Sequence, residues 1–89
     1  METVIVERVF AEPIALSDVE QRMSLEHGCF TSRRVTLVRS CVSRDGKRMI
    51  CVYQAPDAES VRVANQLAGA PFERVWTADV LEAEAYAGR

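Results

Sequence analysis

The sequence predicts one α+β domain of β-α-β-β-α-β order: a four-stranded antiparallel sheet with both helices on one face. Three observations predict it. Strand-like and helix-like segments alternate in each half of the chain. An Asp-Gly hairpin signal joins the halves. Both alternations of the two middle strands carry Val, Ile, Leu or Met. The 89 residues suffice for a single domain, 1–89, and for no second one. Hydrophobic residues make up 48% of the chain, ample for a folded core. A domain of this size nevertheless buries only about 60–70% of its unfolded surface, so its core is thin.

Residues 3–10, TVIVERVF, are β-branched and aromatic and read as the first strand, with Glu7 and Arg8 on opposite faces. Ala11-Glu12-Pro13 ends it. Ser17-Asp18-Val19-Glu20 has capping-box spacing, so a helix is expected from about 18 to 28, with Gly28 as its terminator. Residues 34–43 and 48–55 read as strands two and three around the turn Arg44-Asp45-Gly46-Lys47. A two-residue turn sets Cys41 opposite Ile50 and Ser40 opposite Cys51, which puts the two cysteines on opposite faces; a three-residue turn puts them on one face. Asp57 is the expected N-cap of a second helix, Ala58 to Ala68, with Ala58, Val61, Ala64, Leu67 and Ala68 as its apolar side. Gly69 and Pro71 stop it. Residues 73–81 read as the fourth strand, and the tail as weakly helical or frayed.

This order is the split β-α-β pattern of ferredoxin-like domains. It leaves one sheet face without helices. Because strands two and three are apolar on both alternations, that face is expected to meet a second copy, giving a homodimeric α/β barrel.

Composition removes several classes of function. Net charge is −2 with no basic, aromatic-rich stripe, which argues against nucleic acid. No apolar run approaches the roughly 18 residues of a membrane span, and METVIVERVF lacks the pattern of a secretory leader, so the expected location is the cytoplasm. The three cysteines, Cys29, Cys41 and Cys51, form no CxxC and read as small buried hydrophobes. There is no Gly-rich phosphate loop, no GxSxG and no HExxH; with His27 as the one histidine, no catalytic triad is evident and no catalytic residue is assigned.

Candidate site residues follow from side chains in unusual places. His27 near the apolar stripe at the helix end is a candidate metal ligand, with Cys29 two residues on. Glu7 and Arg39 are charges in mid-strand, expected either to pair across neighbouring strands or to line a pocket with Tyr53, Trp76 and Asp79. Arg33-Arg34 reads as a solvated strand entry. Three functions remain open: a homodimer that binds a metal or small ligand, a dimeric barrel enzyme of monooxygenase or isomerase type, and an interaction module with no ligand.

The run Ser43 to Arg62, and above all Cys51-Val52-Tyr53-Gln54-Ala55-Pro56-Asp57, resembles a bacterial family of small domains described as nickel-binding or nickel-responsive. Glu7-Arg8, Ala68-Gly69 with Pro71, and Arg74-Val75-Trp76 fit it too. The resemblance implies a ferredoxin-like dimer that binds a transition metal such as nickel, with Glu7 and Cys51 as matching positions. Many members carry a histidine on the second helix where this chain has Ala64, which cannot coordinate a metal.

Overall fold

The computed structural model describes residues 1–21, 23 and 34–86. Strands β1 (Glu2–Val9), β2 (Thr36–Val42), β3 (Arg48–Ala55) and β4 (Arg74–Ala78) form one antiparallel sheet in the order β2-β3-β1-β4. Helix α1 begins at residue 16 and includes 17–21 and 23; α2 spans Ala58–Leu67, and Ala83–Tyr86 forms a 3₁₀ turn. The expected order of elements is thus present, and the strand order is the ferredoxin-like one. His27, Cys29 and the predicted helix end at Gly28 lie outside the described residues.

The central strand β1 divides its side chains by the strand period of two. Val4, Val6 and Arg8 are buried beneath the helices, whereas Thr3, Ile5 and Glu7 stand half-buried on the other face. On the helix side Val4 lies opposite Tyr53 and Val6 opposite Cys51. These residues join Val19 of α1 and Val61 and Ala64 of α2 in one core. Both helices therefore cover the same face.

The strand order corrects one expectation. Glu7 on β1 and Arg39 on β2 are not on neighbouring strands, because β3 lies between them. Strand order follows from long-range packing, which adjacency in sequence does not reveal.

The β2–β3 hairpin closes with Ser40 opposite Cys51 and Cys41 opposite Ile50, the register that separates the two cysteines. The turn itself is Ser43 to Gly46: the Gly46 N–H donates to the Ser43 carbonyl at 2.9 Å. The Asp45 carboxylate accepts from the Ser43 hydroxyl at 2.6 Å and the Lys47 N–H at 3.0 Å, and these bonds hold its pKa below the usual 3.8. Gly46 has φ +72°, and a Cβ there would meet the Ile14 carbonyl oxygen at 2.8 Å. That close approach lets the Ile14 N–H donate to the Gly46 carbonyl at 2.8 Å, pinning the segment after β1 onto the hairpin.

Further along β2 the ladder shifts between Leu37 and Arg39. Leu37 faces Tyr53 on the helix side, and simple alternation would put Arg39 there as well. Instead Arg39 pairs with Val52 on the open face. Val38 is the extra residue of a β-bulge, and the bulge re-aims the arginine.

Asp57 caps α2 as its sequence predicts, accepting from the Ser60 N–H at 2.7 Å. The buried stripe of α2 is Val61, Ala64 and Asn65, not the all-apolar set expected; Leu67 is exposed. The spacing 61, 64, 65, 68 keeps one face toward the sheet and turns 67 away from it. The first helix also starts earlier than its capping-box pattern suggests. The Ala15 carbonyl accepts from the Asp18 and Val19 N–H groups, so Ser17 lies within the first turn.

Among the described residues Arg8 is the charged residue of the core, at 2% exposure. Its guanidinium donates to the Pro71 carbonyl at 2.8 Å, the Asn65 Oδ1 at 2.5 Å and the Tyr53 hydroxyl at 3.3 Å. Asn65 in turn donates to the Val61 carbonyl at 2.9 Å. No basic residue lies in the last turn of α2. Arg8 brings a positive charge to that end from β1, where the helix dipole favours it.

Candidate functional site

The face without helices is the candidate site. Ile5, Val38, Ile50, Val52 and Trp76 form its apolar part, with Ile50 43% and Trp76 44% exposed. Polar groups surround them. The Gln54 amide donates to Thr3 Oγ1 across the β1–β3 pair at 2.9 Å. Glu7 accepts from the Trp76 indole N–H at 2.8 Å. That bond runs diagonally, since Trp76 lies opposite Ile5 and Arg74 lies opposite Glu7.

Two shallow clefts cross this face, each of about 320 Å³. The first, toward β2 and the C-terminal segment, is bordered by Ile5, Arg39, Val52, Gln54, Val80 and Glu82. The second, at the other end of the strands, is bordered by Glu7, Val9, Arg48, Ile50, Glu73 and Arg74, with Arg8 and Met49 behind.

Of the sequence candidates, Glu7, Arg39 and Trp76 share the open face. Trp76 is not a core residue, contrary to the ordinary expectation for its type. Asp79 is exposed just beyond β4, which ends at Ala78 rather than at 81. Tyr53 and Cys51 lie on the helix side, fully buried. Cys51 receives the Ser40 hydroxyl at 3.4 Å. The sheet therefore separates Cys51 from Glu7, and Tyr53 from Arg39 and Trp76. Tyr53 does not converge with Arg39 and Asp79 in a pocket. His27 lies outside the described residues.

A metal centre does not form from the described donors. Among the described residues no three His, Cys, Asp or Glu side chains gather closely enough to hold an ion. Glu7 and Cys51 do not fit a common metal, for one carboxylate on the open face and one thiol in the core cannot reach the same point. Ala64 is fully buried in the core.

Two residues with structural weight escaped the sequence reading: Arg8 and Asn65. The available sign was parity. Arg8 has the same alternation as Val4 and Val6, and Asn65 stands four residues after Val61, so both fall on inward positions.

Among the described residues no helix is long and apolar enough to cross a membrane. Among curated proteins none matches the chain. Two solved structures share the fold. One is SCO4226 from Streptomyces coelicolor A3(2), with a TM-score of 0.81 at 12% identity over 90% of this chain and 99% of that one. The other is the P2 domain of the chemotaxis kinase CheA from Thermotoga maritima, in a complex with the response regulator CheY. Its TM-score is 0.53 at 20% identity, over 89% of this chain and 98% of that one. At these identities the likeness establishes the small α+β fold. The sequence match described as "Nickel responsive protein SCO4226-like" covers residues 5–77, from the middle of β1 almost to the end of β4. The chain belongs to the nickel responsive protein SCO4226-like family.

Proposed function

We propose that this chain is a homodimeric binding module, two copies stacked by their open sheet faces into an α/β barrel that holds a small ligand. The observation that carries the reading is the uncovered face itself. It offers Ile50, Trp76, Val38, Ile5 and Val52 as one apolar field, on the side of the sheet opposite α2 and the described part of α1. A field of this kind, rimmed by Glu7, Arg39 and Arg74, has the make-up of an interface: apolar at its centre and polar at its edge. The reading places the dimer in the cytoplasm, with no role for nucleic acid or membrane.

Light scattering tests the pairing. Wild-type protein is expected at twice the 9.9 kDa chain mass, and Ile50→Asp, which sets a charge at the centre of the field, at the single-chain mass. A wild type that runs as one chain removes the barrel from the reading.

Nickel enters from the family description, and Glu7 with Cys51 does not supply a site for it. Calorimetric titration of the wild type with nickel chloride, beside His27→Ala, separates the two parts of the reading. A saturable heat that the variant loses supports a metal-responsive module. No heat above buffer removes nickel and leaves the pairing standing.

A further inference from the structure

We propose that the cleft between Glu7, Arg48, Ile50 and Arg74 is a binding site for a small oxyanion, a carboxylate or a phosphate. The case starts from an ion pair that does not form. Glu7 and Arg74 stand directly opposite each other on β1 and β4, the arrangement in which opposite charges on neighbouring strands normally meet. Here the Glu7 carboxylate turns diagonally and accepts from the Trp76 indole N–H at 2.8 Å. The ion pair among the described residues is Arg62–Glu59, on α2. The Arg74 guanidinium is thereby left with no hydrogen-bond or ion-pair partner among the described residues, and so is that of Arg48.

Both arginines border the same cleft of about 320 Å³, on the two strands that flank β1. Three arginines and two glutamates line it, in a chain whose net charge is −2. Arg8 lies behind, held by Pro71, Tyr53 and Asn65, so on the open side Arg48 and Arg74 balance Glu7 and Glu73 in charge. What the cleft presents is two planar N–H forks without partners among the described residues, of the kind that match carboxylate and phosphate oxygens. Val9 and Ile50 add an apolar floor, which suits an anion carrying a short hydrocarbon part. Trp76 fixes Glu7 away from the guanidinium groups and so keeps them available. The site uses one chain's own residues and no metal, and it shares Glu7, Ile50 and Arg74 with the proposed pairing surface, so pairing and anion binding compete for it.

The indole that holds Glu7 also reports on it, because Trp76 is the one tryptophan in the chain. Its fluorescence is followed while wild-type protein is titrated with sodium acetate, sodium butyrate and sodium phosphate at constant ionic strength, with sodium chloride as baseline. The expected result is a saturable change with at least one oxyanion and none with chloride. Preference for butyrate or acetate identifies a carboxylate site, and preference for phosphate identifies a phosphate site. Arg74→Gln and Arg48→Gln should each weaken the apparent affinity about tenfold. Both side chains are exposed, so both variants are expected to keep the wild-type circular dichroism and melting temperature. A response no different from chloride, or one that survives both substitutions unchanged, overturns the proposal.

Discussion

The two faces of the sheet are made from alternate residues of the same strands, yet they treat charge in opposite ways. On the helix side Arg8 is buried, and the neutral acceptors Asn65, Tyr53 and the Pro71 carbonyl hold it in one geometry. On the open side Glu7, its immediate neighbour in sequence, keeps contact with solvent and spends its hydrogen bond on Trp76, leaving the opposing Arg74 without a side-chain partner among the described residues. The first arrangement fixes the fold: it ties β1 to the C-terminal end of α2 and to the segment beyond it. The second keeps charged groups accessible around an apolar field. Charged residues in mid-strand thus differ in role according to parity: the inward one holds the fold together, and the outward one stays at the surface.

The largest way to break the comparison is on the buried side. Arg8→Ala removes the donor from three buried or partly buried acceptors, and is expected to cost about 3 kcal/mol of unfolding free energy. Urea denaturation measures it. Arg8→Lys should recover only part of the loss, since an ammonium cannot reproduce the planar fork. A loss under about 1 kcal/mol for Arg8→Ala would show that the clamp does not hold the fold.

Gly46→Ala comes next, at about 2 kcal/mol by the same measurement, from the strained positive φ and the contact with the Ile14 backbone. It breaks the tie between the hairpin and the segment after β1 while leaving both faces chemically unchanged.

Thiol labelling reads the contrast through accessibility instead of unfolding energy. Mapped by mass spectrometry in the Ile50→Asp background, Cys41 on the open face should react in the native state, and Cys51 only on unfolding. Equal rates at the two positions would contradict the assignment of faces.

The smallest effect is in pH. Hydrogen bonds from Ser60 to Asp57, and from Ser43 and Lys47 to Asp45, hold both carboxyls below 3.8 in the folded chain. A lowered folded pKa means that the stabilisation is in place above the unfolded value near 3.8 and is lost as pH falls through the folded one. The melting temperature should therefore drop slightly in that acidic window. Asp57→Asn should flatten the drop, because asparagine still caps the helix but does not titrate.

Much of this fold was legible in the sequence because its signals are local. The Asp-Gly turn, the Asp57 cap and the alternation in β1 and β3 each rest on a few adjacent residues, and each is present. What the sequence hid depends on distant partners. Strand order places β3 between Glu7 and Arg39. One inserted residue, Val38, moves Arg39 across the sheet. Arg8 and Asn65 meet across 57 positions of chain, so neither residue by itself announces the bond. The open face was foreseen from the two-sided apolar pattern. Which polar and aromatic residues gather on it was foreseen only for Glu7, Arg39 and Trp76, since Arg48 and Arg74 look like ordinary strand ends.

In the proposed dimer the open face is covered by a second copy of the chain. Native mass spectrometry of untagged wild-type protein at micromolar concentration tests it most directly. The expected species has twice the 9.9 kDa chain mass, and Ile50→Asp converts it to the single-chain mass. A wild type found at the single-chain mass across that range would contradict it.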